Sequence, residues 1–433
     1  MKRSRPVRTR QTAANAQPPG DAADHRALWA LASVIVLAIP LFISPSGDDS
    51  FRAPKLYLFR ALCMTIVAVA VLIGRASHVL TTLMIPAAQL GIAIVIWAVV
   101  SAALSSDRTI SFERVFDIAC GYIFLLAVLD SGKGRARKGA ALLLITAAIN
   151  SIAYLLQTIP SVSEMVMHSR EHMATTALLG NPNDVGMFLV VPALLAVAFA
   201  IRDRTHRLAF GTTGALILIA LLTTQTLTAI LAVSAGIFAI LLEQQRERSV
   251  VFAVAAAAAI TAALFIYAPS RHRIDHALRY AQEGEWNSVL SGRLSAYVPA
   301  WDMWVDHPIA GVGPGGFAHR FFDYRLRSIT EHPRLVHWPA GLGIAPNFAE
   351  THSDHLQILA ETGIVGYGLF IAALILIARR KASDATSALD CARRPIIIAV
   401  AVLAATGFPL QTAATAMPLL FFAGLSEAER AVQ

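Results

Sequence analysis

Apolar residues run along this chain in long blocks separated by short clusters of charged, Gly and Pro residues. A block of about 20 apolar residues suits a helix crossing a hydrocarbon core of roughly 30 Å, because a helix satisfies its own backbone polar groups. Twelve such blocks are read, at about 27–43, 55–73, 80–104, 113–130, 139–159, 184–201, 208–222, 227–242, 250–268, 355–378, 395–410 and 412–425. The last two are short enough for a re-entrant pair. Nothing resembles the alternating, turn-punctuated pattern of a membrane β-barrel. The expected fold is an all-α polytopic membrane protein of about 12 transmembrane helices, with one large, partly helical outer loop between the ninth and tenth spans. The chain then divides into a basic tail (1–26), spans 1–9 (27–268), the loop (269–354), spans 10–12 (355–425) and a short tail (426–433).

Composition agrees: 56% of the 433 residues are hydrophobic and 15% charged, which excludes an ordinary soluble domain. The net charge of +8 is more informative once sorted by side. Basic residues are retained in cytoplasmic connections. Alternate connections hold 22 of the 36 Lys and Arg, among them Arg75, Lys133, Arg135, Arg137, Arg202, Arg379, Arg393 and Arg430, whereas the short loops opposite hold only Arg52, Arg108 and Arg170. Both termini are thereby placed in the cytoplasm. No small-residue cleavage site follows Ile43-Ser44-Pro45-Ser46, so the first span reads as uncleaved.

The long loop falls on the outer side and carries Arg271, Arg273, Arg279, Arg293, Arg320, Arg325, Arg327 and Arg334, with no Lys. A planar guanidinium fork suits phosphate, so the set points to pyrophosphate or phosphate recognition; the alternative is a solvated loop pairing with its own acids, such as Asp302, Asp306 and Asp323. Lys55, Arg60 and Arg114 sit at outer ends of spans and would line the same mouth, although Arg114 has Asp117 one turn on. The basic excess is thus read as orientation plus phosphate or pyrophosphate binding, not nucleic-acid binding.

Cys63, Cys120 and Cys391 imply no disulfide or metal framework, and no phosphate-binding Gly-Lys-Ser/Thr loop, CxxC or HExxH sequence occurs. An ATP-driven pump and a membrane metalloprotease are disfavoured, and no metal or cofactor is expected.

Three stretches carry candidate chemistry. Residues 291–304 read as an amphipathic helix whose Tyr297, Trp301 and Trp304 suit the membrane interface. The following Gly311-Val312-Gly313-Pro314-Gly315-Gly316 offers a tight turn whose amides would approach an oxyanion, or simply ends the helix. In Glu350–Gly366, helical spacing puts His352, His355, Leu359, Gly363 and Gly366 on one stripe and Glu350, Asp354, Gln357 and Glu361 opposite. The two glycines would admit a neighbouring helix. On a continuous helix Glu361 lies about 13 Å below His352, where a carboxylate is either functional or a structural hydrogen-bonding partner. His352, at a span mouth facing arginines, suits proton transfer, and His355 and Glu361 are substrate-contact candidates. Finally, Gly180-Asn181-Pro182-Asn183-Asp184 precedes an apolar block; Asn181 and Asn183 are read as contacts for sugar hydroxyls, with helix capping as the alternative.

These residues resemble the O-antigen ligase and polymerase superfamily of bacterial inner-membrane glycosyltransferases. Gly292-Arg293, Trp301, His307-Pro308 and Gly311 to Phe317 resemble the start of its extracytoplasmic domain, His352-Ser353 with Gly363 and Gly366 matches a pattern associated with the ligases, and Asn181-Pro182-Asn183 is similar to an asparagine-containing loop. The resemblance implies location in the inner membrane with a periplasmic loop, and cofactor-free, metal-independent transfer of a glycan from undecaprenyl pyrophosphate. The acceptor would be a hydroxyl of lipid A–core or, in a polymerase, a second lipid-linked repeat. It implies Arg293 and His352 as catalytic residues, the first for pyrophosphate and the second for the acceptor, with Arg60, Arg114, Asn181, Asn183, Arg271, Arg273, Arg320, Arg325, His355 and Glu361 as binding candidates. One departure stands out: many relatives carry Ser-Arg or Ser-Lys where this chain has Thr224-Gln225-Thr226-Leu227-Thr228. From another class, an anion or lipid-glycan transporter would show broken helices at midmembrane and internal repeats.

Overall fold

The computed structural model describes residues 19–44, 49–75, 80–159, 162, 176–243, 268–338, 348–379 and 387–430, without the side chains of 19–24 and 268–274. Among these residues all regular structure is helical. Eight helices form the first part: α1 (Pro19–Leu41), α2 (Arg52–Leu72), α3 (Pro86–Leu104), α4 (Arg108–Ser131), α5 (Ala136–Gln157), α6 (Pro182–Arg202), α7 (Arg207–Thr223) and α8 (Leu227–Glu243). An insert follows, with α9 (Ala268–Gln282), α10 (Trp286–Val289), α11 (Leu294–Asp306), α12 (Gly316–Glu331) and α13 (Pro333–Val336). The bundle closes with α14 (Asp354–Ala378), α15 (Ala388–Thr406) and α16 (Ala413–Arg430).

Each expected apolar block that falls on described residues is a helix, and five helices, α2, α3, α5, α6 and α14, are long and apolar enough to cross a membrane. The block at 250–268 lies outside the described residues except for Ala268. The expected short pair at the end is instead two helices of 19 and 18 residues. They outrun their apolar blocks because the charges at their ends neutralise one another: buried Arg393 donates to Asp390 at 2.8 Å and also to Glu427, which Arg430 reaches at 3.2 Å.

α6 is the central helix. It packs on α5, α7, α8, α15 and α16, and 83% of its apolar window is buried, against 22% for α2 and 28% for α3. Lipid tails are as apolar as leucine, so close approach rather than water exclusion holds such a bundle. Small residues supply it: a Cβ on Gly236 would lie 2.5 Å from Leu194, and one on Gly214 would lie 3.1 Å from Ala196.

Polar residues gather at the two ends. At one, Arg75 donates to Asp130 at 2.9 Å and contacts His25, while Glu429 accepts from the Ala136 amide. These residues belong to the connections that share one side in the sequence reading. The insert sits at the other end, where Ala296, Ala300, Met303, Phe317, Phe321 and Tyr324 form a second core with Phe348 and Ala360.

What joins insert to bundle is a break in α14. Gly363 has φ 66° and ψ −170°, so the helix is interrupted there. Residues 308–313 enter the gap: Val312 N donates to Ala360 O, Gly313 N to Glu361 O, and Ile364 N to Pro308 O, all at 2.9 Å. Side chains of α3 complete the repair, with Ser101 Oγ donating to Glu361 O at 3.1 Å and Trp97 Nε1 to Thr362 O at 2.9 Å. The carbonyls of Ala360, Glu361 and Thr362 and the amide of Ile364 are thus re-paired, as the interior of a membrane requires.

Candidate functional site

The break decides what the glycines do. A Cβ on Gly363 would lie 2.1 Å from Ile309 O, one on Gly311 2.3 Å from the Glu361 carbonyl carbon, and one on Gly313 2.5 Å from Ser105 and Ser111. The partner admitted at Gly363 is therefore a loop and not a helix, while Gly366 faces Trp97 of α3. The expected oxyanion turn exists, but its anion is internal. Glu361 Oε2 accepts from Gly315 N at 2.9 Å, and Glu361 Oε1 accepts from Gln357 Nε2 at 3.1 Å. Gln357 Oε1 in turn accepts from Thr351 N at 3.1 Å. The carboxylate thereby links the glycine turn to the segment that carries His352.

His352 is not on the helical stripe. α14 begins at Asp354 with Ser353 as its N-cap, and His352 adopts a left-handed φ of 58°. A capping serine ends the regular twist, so the ring leaves the line of His355 and Leu359. It lies between Phe348 and Phe408, with ring centroids 5.4 and 4.8 Å away in edge-to-face geometry. Tyr297 Oη donates to its carbonyl at 3.3 Å. Among the described residues its ring nitrogens have no hydrogen-bond partner. Burial, then the charges of Arg293 and Arg52, push the imidazole down to about 4, so it is neutral at physiological pH.

Arg293 starts α11 just after Ser291 and Gly292, both left-handed. Its guanidinium acts electrostatically on both His352 and Tyr297, whose phenol burial pushes up. Among the described residues Arg293 makes no ion pair or side-chain hydrogen bond, so its donors are uncommitted.

A second cation was counted in the sequence only as a short-loop residue. Arg52, at the start of α2, donates to Asp184 at 3.1 and 3.3 Å and to Glu350 at 3.3 Å, and its guanidinium lies 5.3 Å from the Phe408 ring centre. Asp184 is buried in the first turn of α6, and burial raises the Glu350 carboxyl while Arg52 lowers it. Arg52 thus ties α2, α6 and the His352 segment together. Lys55 is consumed by the carbonyls of Phe42 and Leu178, at 2.6 and 2.7 Å.

Below lies a cavity of about 340 Å³ between α3, α4, α14 and α16. Its walls are apolar, including Leu90, Ile94, Trp97, Tyr122, Leu369 and Leu420, and one end is polar, with Arg114, Asp117, Glu361 and Gln411. Arg114 donates to Gln411, whose Nε2 donates to Asp354 at 2.7 Å. Arg60 joins the same chain through Asp117 at 2.6 Å and also pairs with Glu113 at 3.1 Å.

The remaining candidates fall elsewhere. Asn181 caps α6, accepting from the amides of Asn183 and Asp184 at 2.7 and 3.3 Å, while Asn183 Oδ1 accepts from Thr226 Oγ1 at 3.3 Å. The unusual Thr224–Thr228 turn is therefore a support for α6, with Thr226 packed where a Cβ on Gly186 would lie 2.9 Å away. His355 turns to α15, its Nε2 3.2 Å from the Ala401 carbonyl and its Nδ1 3.3 Å from the Tyr367 hydroxyl. Arg320 and Arg325 lie on α12, Arg325 with its guanidinium 5.8 Å from the Phe321 ring centre. The side chains of Arg271 and Arg273 lie outside the described residues. No group of three or more His, Cys, Asp or Glu among the described residues is placed to hold a metal.

The sequence points to His352, Arg293, Arg114 and Glu361 as candidates, and not to Arg52, Glu350, Phe408 or Gln411, which the fold brings near them. The Arg52–Asp184 contact joins residues 132 apart, and no local spacing announces it. A family model described as O-antigen ligase matches residues 212–371, which hold most of α7, all of α8, the insert and the first part of α14. No curated protein matches the chain.

Proposed function

Starting from that match, which supports the O-antigen ligase and polymerase superfamily for this multi-pass chain, we propose that the protein transfers a glycan from undecaprenyl pyrophosphate to an acceptor hydroxyl at the periplasmic face. The observation that carries the reading is an uncommitted guanidinium, Arg293, beside a neutral imidazole, His352, above an apolar cavity with a polar end. The cavity suits part of the isoprenoid, and Arg293 suits the pyrophosphate, whose charge grows as the glycosidic C1–O bond breaks. His352 accepts a hydrogen bond from the attacking hydroxyl and takes its proton as the new bond forms.

The same pair ties the strength of the base to the donor. Burial first, then the charges of Arg293 and Arg52, oppose protonation of His352 in the empty protein. Once the guanidinium faces the dianionic pyrophosphate the share due to Arg293 is cancelled, and the imidazole becomes a stronger base. Arg52 holds Glu350 and the Phe408 wall in place around it. The carboxylates of Glu361 and Asp354 already have their donors and serve as supports.

The acceptor is lipid A–core for a ligase or a second lipid-linked repeat for a polymerase. Gene deletion separates them on a lipopolysaccharide gel: loss of the whole ladder with accumulation of lipid-linked polymer marks a ligase, and a core bearing one repeat marks a polymerase. With purified donor and acceptor, His352→Ala and Arg293→Ala are expected to abolish transfer while the protein still inserts. Full transfer by His352→Ala removes the imidazole from the mechanism, and a divalent-metal requirement overturns the metal-free scheme.

A further inference from the structure

Helix α12 carries two apolar faces, and only one is covered. Phe317, Phe321 and Tyr324 point into the second core. Phe322, Leu326 and Ile329 form another row, 64, 51 and 48% exposed. At about 100° per residue these three fall within roughly 60° of one another, on the side facing away from the core. Apolar residues scattered singly on a surface need no explanation, but a contiguous row on one helix does.

The place of α12 identifies the cover. His319 Nε2 lies 3.0 Å from Asp107 Oδ2, and Asp107 is the N-cap of α4. A Cβ on Gly315, one residue before α12, would touch Arg114 and Ile110 of α4 at 3.3 and 3.4 Å. The helix therefore starts at the ends of α3 and α4, beside Leu104 and Phe112, which are 69 and 44% exposed on the flank of the bundle. Arg325 borders the row, while the opposite side of α12 is neutralised by Arg327 with Asp306 and Glu331, at 2.7 and 2.9 Å. An apolar row edged by a cation, at the level where membrane-crossing helices end, matches acyl chains below and lipid phosphates beside.

We propose that α12 lies in the interfacial layer of the membrane leaflet on the insert's side, with Phe322, Leu326 and Ile329 against lipid. Pro314, two residues before α12, lines the cavity, so this placement sets that part of the cavity wall close to the headgroups.

The test reads no transfer reaction and so stands apart from the proposed activity. The full chain is reconstituted in phosphatidylethanolamine and phosphatidylglycerol nanodiscs, carrying one spin label at a time on Phe322→Cys, Leu326→Cys or Ile329→Cys. Asp323→Cys on the polar side is the control, and labelled wild type, whose cysteines are buried, gives the background. Power saturation is expected to show oxygen collisions exceeding those of a water-soluble nickel chelate at the three row positions, with the order reversed at Asp323→Cys. Nickel access at the row equal to the control overturns the proposal, and so does shielding from both reagents, which marks a protein cover.

Discussion

Exchanging Glu361 for glutamine changes one atom, and the hydrogen-bond pattern makes that exchange costly. Both carboxylate oxygens are acceptors, one from Gly315 N and one from Gln357 Nε2. Glutamine keeps a single oxygen, so its NH2 must face one of the two donors. Gln357 cannot flip to meet it without losing the bond from Thr351 N. A hydrogen bond to a charged group contributes about 1.5–3 kcal/mol, and a buried donor left unpaired costs about 1–3 kcal/mol, so Glu361→Gln is expected to lose roughly 2–4 kcal/mol. That corresponds to roughly 30- to 700-fold in the folding equilibrium. The same geometry names the rescue. When Gln357→Glu is combined with Glu361→Gln, the carboxylate now at position 357 accepts from Thr351 N and from the new side-chain amide at position 361. The oxygen of that amide accepts from Gly315 N, so the Gly315 and Thr351 amides both keep an acceptor. Denaturant unfolding in nanodiscs followed by tryptophan fluorescence, with hydrogen exchange at residues 308–316, measures both single variants and the double. A Glu361→Gln protein as stable as wild type, or a double variant no better than Glu361→Gln alone, refutes the reasoning.

Gly363→Ala places a Cβ 2.1 Å from Ile309 O at φ 66°, and is expected to cost about 2–4 kcal/mol, whereas Gly368→Ala, with open space around it, leaves stability within about 1 kcal/mol of wild type or raises it; equal melting of the two variants counts against the break as described. Because the folded imidazole of His352 titrates at about 4 against an ordinary 6.5, its contribution is complete above pH 6.5 and is lost as pH falls toward 4, up to about 3 kcal/mol. The unfolding free energy of His352→Gln should therefore lack that part of the acid slope, and coincident pH profiles would exclude it. Arg52→Ala strands the buried Asp184 carboxylate at a cost of about 1–3 kcal/mol, reduced from a fully buried pair because Arg52 is a third exposed, and Asp184→Asn in the same background should recover part of it by thermal unfolding.

That the chain is helical with several helices able to cross a membrane is legible in the sequence, because such helices leave long apolar blocks. The ends of α15 and α16 were not, since Arg393 and Glu427 look like loop charges until their pairing is seen. In the site, His352 and Arg293 announced themselves by residue type and company. The helical stripe misplaced His352 because periodicity cannot see that Ser353 caps the helix. It also missed the break at Gly363, since a glycine in an apolar block reads as a packing residue until a distant loop is known to enter beside it. Glu361 reads in the sequence as either functional or a structural hydrogen-bonding partner, and only the fold tells that it accepts from the glycine turn.

The break in α14 bears on how such a protein is made. A ribosome delivers residues 308–313 before Gly363, so the plug exists in the chain before the helix it completes. In the folded chain the carbonyls of Ala360, Glu361 and Thr362 take donors from outside their own helix, through Val312, Gly313, Ser101 and Trp97. Every one of those donors precedes α14 in the chain, so the break at Gly363 can be paired as soon as α14 is made.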